Sequence, residues 1–265
     1  MRIPFTQVDA FADAPFTGNP AAVMPLSRWL DDTMLLAIAA ENNLSETAFI
    51  VPYAGDDADF ELRWFTPMAE VALCGHATLA SGHVVLQSDG ARDQVRFATR
   101  RSGVLEVARQ DAGYRMALPA LAPHPAPLPH VVAALGLADP VATLWQEQGY
   151  AVVVLADEAA VRAVRPDFAA LATAGDMLVI VTAPGQSHDI VTRAFAPAYG
   201  VNEDPVTGSA HAVVAPYWSG RLGTDTLTAV QASARGGRLQ CRVQGDQVVL
   251  GGACITVIEG AFLLP

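Results

Sequence analysis

The residues in this chain able to do chemistry are few, and most sit beside glycine turns. Cys74-Gly75-His76 places a thiol next to an imidazole where the apolar "EVAL" gives way to the helix-forming run "HATLASGHVVL". Such a pair can supply a nucleophile or carry a proton, yet a free cysteine is also a common buried filler. Glu46, in "AAENNLSETAFIV", stands where a helix ends near Asn42-Asn43 and a strand begins at Ala48. It reads either as a solvated turn residue or as an acid/base group held on a loop by a rigid scaffold. Asp204, in "VNEDPVTGSAH", precedes a proline, the ordinary setting of a turn former, or else points into a site. Ser209 follows Gly208 in the first turn of a helix, where a hydroxyl caps the helix or bonds an anion.

Other chemistries find no support. His76 and His83 lie seven apart on one expected helix, about 10 Å along its axis, too far to share an ion. His124 and His130 fall in a proline-rich segment, and His188 and His211 lack ligand-spaced neighbours, so no metal is expected. There is no P-loop, no G-x-G-x-x-G after a strand, no G-x-S-x-G and no H-E-x-x-H. No cofactor is expected, and side chains must do the work. Cys241 and Cys254 lie in strand-like, alternating or Gly-flanked segments and read as structural filler.

The elements that must position these groups occur twice. Residues 117–131 carry five prolines and read as a linker, placing an N-terminal lobe at 1–118, a linker at 119–129 and a C-terminal lobe at 130–265. The final strand of the second lobe is free to cross back to the first. Residues 49–67 and 179–197 match without a gap at seven of nineteen positions, including Gly55/Gly185, Asp59/Asp189, Arg63/Arg193, Phe65/Phe195 and Pro67/Pro197. Both copies predict a hairpin, which points to an internal duplication. At this offset Glu46 falls opposite Asp176. Beyond the hairpin the register slips by three. Glu70 then meets Glu203, Cys74 meets Thr207, Gly75 meets Gly208 and His76 meets Ser209. A helix is expected to start at Gly75 and another at Gly208, each presenting free N–H groups to an anion such as a carboxylate.

Composition sets the outer bounds. The chain has 265 residues, 52% apolar and 16% charged, enough for a sizeable core. A net charge of −11, without a basic cluster, argues against nucleic acid or an anionic membrane as partner. Three widely spaced cysteines suggest a reducing cytoplasm rather than a disulfide framework. No apolar run reaches the length of a membrane span.

Taken in order, "FTGNPAAV", "NLSETAF", "LRWFTPMAEVALCGHATLA", "GVNEDPVTGSAH" and "GGACITVIEG" resemble the phenazine-biosynthesis F (PhzF-like) isomerase family over nearly the whole chain. The resemblance implies a diaminopimelate-epimerase-like α+β fold of two pseudo-symmetric lobes, each a sheet wrapped around a central helix, with the active site between them, and a homodimer. It implies proton transfer without a cofactor on a small carboxylate-bearing substrate, as in trans-2,3-dihydro-3-hydroxyanthranilate isomerase. Glu46 occupies the family's proton-shuttling position, and His76, Asp204 and Ser209 its substrate-binding positions, with Gly75 and Gly208 at the two helix starts. Cys74 stays a further candidate in the alternative reading of an amino-acid epimerase or racemase, in which Glu46 and Cys74 form an unequal pair; a small-metabolite-binding protein without catalysis is a third reading. A symmetric two-thiol racemase is disfavoured, since the threonine opposite Cys74 is too weak an acid or base near neutral pH.

Overall fold

The computed structural model describes residues 1–264. They divide into two units, residues 1–117 with 251–264, and residues 118–250. Each unit is a strongly curved sheet closed around one buried helix.

In unit 1 the strands are β1 (Arg2–Ala10), β2 (Asn19–Pro25), β3 (Glu46–Pro52), β4 (Phe60–Phe65), β5 (Glu70–Val71), β6 (Gln94–Thr99), β7 (Val104–Gln110) and β8 (Gly113–Pro119). Helix α1 (Asp32–Asn42) covers the outer face, and α2 (Gly75–Ser88) runs through the middle. Every residue of α2 from Gly75 to His83 is buried, so no face of this stretch is turned to solvent, as in an enclosed helix. Its close approach to β7 requires a glycine: a Cβ on Gly82 would stand 2.4 Å from Cγ1 of Val107.

Unit 2 contains β9 (His124–Pro125), α3 (Pro129–Ala134), β10 (Ala142–Gln146), β11 (Tyr150–Val154), α4 (Glu158–Ala163) and α5 (Phe168–Thr173). It continues with β12 (Leu178–Pro184), β13 (Ile190–Ala196), β14 (Val201–Asp204), α6 (Gly208–Leu222), β15 (Thr226–Gln231), β16 (Gly237–Gln244) and β17 (Gln247–Gly252). Helix α6 takes the central place, while α3, α4 and α5 cover an outer core built on Val153, Val181 and Phe195. The last strand, β18 (Cys254–Leu263), pairs antiparallel with β1 from Ala10↔Cys254 to Arg2↔Leu263. Residues 251–264 belong to unit 1. Among the described residues no helix is long and apolar enough to cross a membrane.

The duplication is visible in the pairing within each unit. β3 and β4 form an antiparallel hairpin whose second strand lies parallel to β6, and β12 and β13 form one whose second strand lies parallel to β15. In unit 1 the buried Arg63 clasps both carboxylate oxygens of Glu70 at 2.7 and 2.8 Å, and its guanidinium lies 4.9 Å from the Phe65 ring. In unit 2 Arg193 clasps Glu203 at 2.7 and 3.0 Å and lies 4.9 Å from Phe195. The repeated Arg-x-Phe of the sequence is thus a bidentate, ring-stacked staple from β4 to β5 and from β13 to β14.

The gapless offset nevertheless misplaces the first strand of the hairpin. Thr47 pairs with Phe65, but Val179, not residue 177, pairs with Phe195. The turn is shorter in the second copy, five residues against seven, and the strand compensates by a two-residue slide that keeps the same faces buried. By register the counterpart of Glu46 is Leu178. Asp176 lies in an exposed bend before β12, so the two copies do not each contribute a carboxylate at this position.

Candidate active site

Glu46 is the first residue of β3, two residues earlier than the sequence suggested. Helix α1 ends at Asn43 in the left-handed conformation (φ 49°), and Asn42 Nδ2 donates to Thr47 Oγ1 at 3.0 Å, which fixes the turn into the strand. The carboxylate emerges beside β2, with Ala21 as its parallel partner, and keeps 17% of its side-chain surface exposed.

Helix α2 delivers the partner. Cys74 is its N-cap residue, in extended conformation, so Gly75 and His76 are the first two helical residues. Thr78 Oγ1 donates back to the Cys74 carbonyl at 2.6 Å and braces this first turn. His76 Nε2 comes within 3.1 Å of Glu46 Oε2, close enough for an ion pair although not aligned as a hydrogen bond. On the other edge of the ring, Nδ1 lies 3.5 Å from Cys74 Sγ and 3.2 Å from Asn19 Nδ2. Asn19 heads β2 and is fully buried. The turn before it needs a glycine, since Gly18 sits at φ +70° with its would-be Cβ 2.3 Å from the Ala10 carbonyl oxygen.

The electrostatics of this cluster favour separated charges. Burial alone would depress the His76 pKa, but the neighbouring Cys74 sulfur and the Glu46 carboxylate outweigh it and hold the imidazole well above its ordinary range. Burial, with Glu46 adding to it, pushes the Cys74 thiol up to about 11. Near neutral pH the sulfur keeps its proton, and the pull on His76 comes from Glu46. The arrangement is an imidazolium held against a carboxylate, with a protonated thiol behind it. A thiol in that state is a poor nucleophile, whereas the carboxylate is a competent base.

The second-unit candidates gather at the start of α6. Thr207 is its N-cap residue, so the pairing of Cys74 with Thr207 read from the sequence is also an equivalence of helix position. Thr207 Oγ1 donates to Asp204 Oδ2 at 2.5 Å. Gln231, fully buried at the end of β15, accepts the Thr207 N–H at 2.8 Å and donates to the Asp204 carbonyl at 2.8 Å and to Thr207 Oγ1 at 3.1 Å. One amide thus laces the loop between β14 and α6. Gly208 and the half-buried Ser209 open the helix beyond it.

Asn19 and Gln231 were not singled out by the sequence. Asn19 sits in "TGNP", which reads as a turn, and Gln231 ends an ordinary strand; each finds its partners at a distance along the chain. The remaining histidines stand elsewhere. His83 bonds Tyr114 and Thr256 in the interior of unit 1, and His211 bonds the Thr207 carbonyl and Thr192 in unit 2. His188 lies 3.3 Å from the buried Glu158, which Arg162 also holds, and His124 pairs with Glu147 at the surface. Cys241 is fully buried in β16, its thiol pushed up to about 12 by burial, and Cys254, at the start of β18, is raised by burial too.

Comparison with known proteins agrees with this architecture. The profile of the PhzC-PhzF family, phenazine biosynthesis-like protein, matches residues 8–260. An uncharacterized isomerase of Pseudomonas aeruginosa is 51% identical over 266 residues, covering all of both chains. The human phenazine biosynthesis-like domain-containing protein is 38% identical over 98% of this chain and 99% of its own. The crystal structure of a PhzF-family phenazine biosynthesis protein from Enterococcus faecalis superposes with a TM-score of 0.91 at 43% identity, over the full length of both. A hydroxyproline epimerase from Agrobacterium vitis shares the fold alone, at a TM-score of 0.61 and 10% identity over 98% of this chain and 92% of the other. The chain belongs to the PhzF-like, phenazine biosynthesis-like protein family, in which it has curated isomerase relatives.

Proposed function

We propose that the protein is a cofactor-independent isomerase that moves a proton within a small, carboxylate-bearing substrate. Glu46 is the acid/base: its carboxylate takes a proton from carbon and returns it at another position on the same face. His76 is its counter-charge and a donor to the negative charge passed to the substrate. The N–H groups at Gly75 and Gly208, with Asp204 and Ser209, bind the substrate, helix N-termini being suited to anions. The observation that carries this reading is the 3.1 Å approach of Glu46 Oε2 to His76 Nε2 in a nearly enclosed setting. One carboxylate in one unit, with Leu178 at the matching register position of the other, suits one-face shuttling better than a two-base inversion.

The test is solvent exchange. The protein is incubated in heavy water with a metabolite extract, and mass spectrometry identifies a compound that gains deuterium. Glu46→Gln keeps the shape and removes the base, so incorporation should fall by about 100- to 10,000-fold, the usual worth of a general base. Exchange retained at the parent rate refutes the assignment.

A further inference from the structure

Cys74 has no role in the proton transfer above, yet its position is not that of a mere filler. Its Sγ lies 3.5 Å from His76 Nδ1, and Glu46, Cys74 and His76 each present one ligating atom within 4.8 Å of the other two. A tetrahedral zinc-class ion, with bonds of about 2.0 Å to nitrogen and about 2.3 Å to sulfur, holds those two donors about 3.5 Å apart. The sulfur and the ring nitrogen therefore already stand at the separation a shared ion would impose. The Glu46 carboxylate, 3.1 Å from the other ring nitrogen, supplies a third donor by turning one oxygen toward the ion. A sulfur, nitrogen and oxygen set with a fourth position open favours zinc or cobalt(II) over magnesium or calcium, which demand six or more oxygens. The histidine spacing in the sequence pointed away from any ion, because it compared His76 with His83 and not with the thiol two residues before it.

We propose that Glu46, Cys74 and His76 form a binding site for one zinc-class divalent cation, and that an ion bound there silences the acid–base pair. The ion is a reversible inhibitor rather than a resident cofactor, since it occupies the carboxylate and imidazole that the isomerase reading needs free. Binding breaks the S–H bond of Cys74 and the Nδ1–H bond of the His76 imidazolium, forms one metal–sulfur and one metal–nitrogen bond, and releases two protons to solvent; no electron changes hands. All three donors belong to unit 1. Asn19, whose amide nitrogen lies 3.2 Å from the same Nδ1, must swing aside or turn its oxygen toward the ion.

The test is titration of metal-stripped protein with cobalt(II) chloride. A thiolate-to-cobalt charge-transfer band should rise in the near ultraviolet, saturate at one equivalent and bleach when zinc is added. Cys74→Ser should abolish the band, and Glu46→Gln should weaken cobalt binding by at least about 10-fold, the smallest cost seen even for changes outside the ligand set. The Cys241→Ala/Cys254→Ala double variant should keep the band. No band at one equivalent, or a band that survives in a Cys74→Ser variant of unchanged circular dichroism, overturns the site. Solvent exchange that persists in zinc-saturated protein overturns the silencing. The spectrum needs no substrate, so its failure and the failure of the isomerase reading are separate results.

Discussion

His211 offers the sharpest test of the energetics of this fold. It is fully buried on α6, and the Thr207 carbonyl, which can only accept, receives a hydrogen bond from Nδ1–H at 2.8 Å, leaving Nε2 as acceptor for the Thr192 hydroxyl at 3.2 Å. Burial pushes its pKa down from 6.5 to about 4. The unfolded chain therefore binds a proton between pH 6.5 and about 4 that the folded chain refuses, and stability must fall with pH across that window. At about 1.4 kcal/mol per pH unit the full effect is about 3 kcal/mol, present above pH 6.5 and lost by about pH 4. His83, nearly as buried in unit 1 and likewise pushed down to about 4 by burial with Arg109 adding to it, contributes in the same sense. His188, lowered by burial, also adds, while the exposed His124, raised by Glu147, opposes. The assay is urea unfolding at a series of pH values from 7 to 5, above the range where most carboxylates titrate. His211→Leu should flatten the slope of stability against pH by about 1 kcal/mol per pH unit averaged over this range, whatever it does to stability at pH 7. An unchanged slope would mean that His211 takes up its proton equally well in the folded state, and the argument from burial would fail.

Two further outcomes follow from the hydrogen-bond geometry. Gln231→Leu removes the acceptor of the Thr207 N–H and a donor to the Asp204 carbonyl, and at about 1–3 kcal/mol for each bond the loss is about 2–6 kcal/mol. Urea midpoints measure it, and hydrogen exchange should locate it at residues 204–210. Arg193→Met should cost about 3–5 kcal/mol by leaving Glu203 without its buried partner, whereas Arg63→Met should cost less, because Glu70 keeps Arg100 at 3.3 Å. Equal losses in thermal unfolding of the two variants would contradict that difference.

Much of this arrangement is legible along the chain because its determinants are local. Helix starts at Gly75 and Gly208 follow from turn glycines before apolar runs, and the paired hairpins from the spacing of Gly55, Arg63 and Phe65 and their repeats. What escapes is decided at long range. Asn19 meets His76 across 57 residues, and Gln231 meets Thr207 across 24, through side chains that carry no periodic signal. The two-residue slide in the second hairpin is invisible in a gapless alignment, since an even shift leaves the inward and outward pattern intact while it exchanges the partner of every residue. That slide is why Asp176 looks equivalent to Glu46 on paper and Leu178 takes the place in space.

The same duplication explains why a thiol and a hydroxyl at matching positions have diverged in surroundings. In both units the N-cap residue keeps its side chain out of the helix it begins. In unit 2 the hydroxyl of Thr207 is used up internally, given to Asp204 and steadied by Gln231, so that the loop before α6 is rigid and the N-terminus behind it is presented at a fixed angle. In unit 1 the thiol of Cys74 meets the ring edge of His76 in a weak bond that leaves the imidazole governed by Glu46 on its far side. A hydroxyl in that place would hydrogen-bond Nδ1 more strongly but could not bind a soft ion. The cysteine thus leaves the imidazolium and carboxylate free to act on each other, and it makes unit 1, but not unit 2, open to a thiophilic cation.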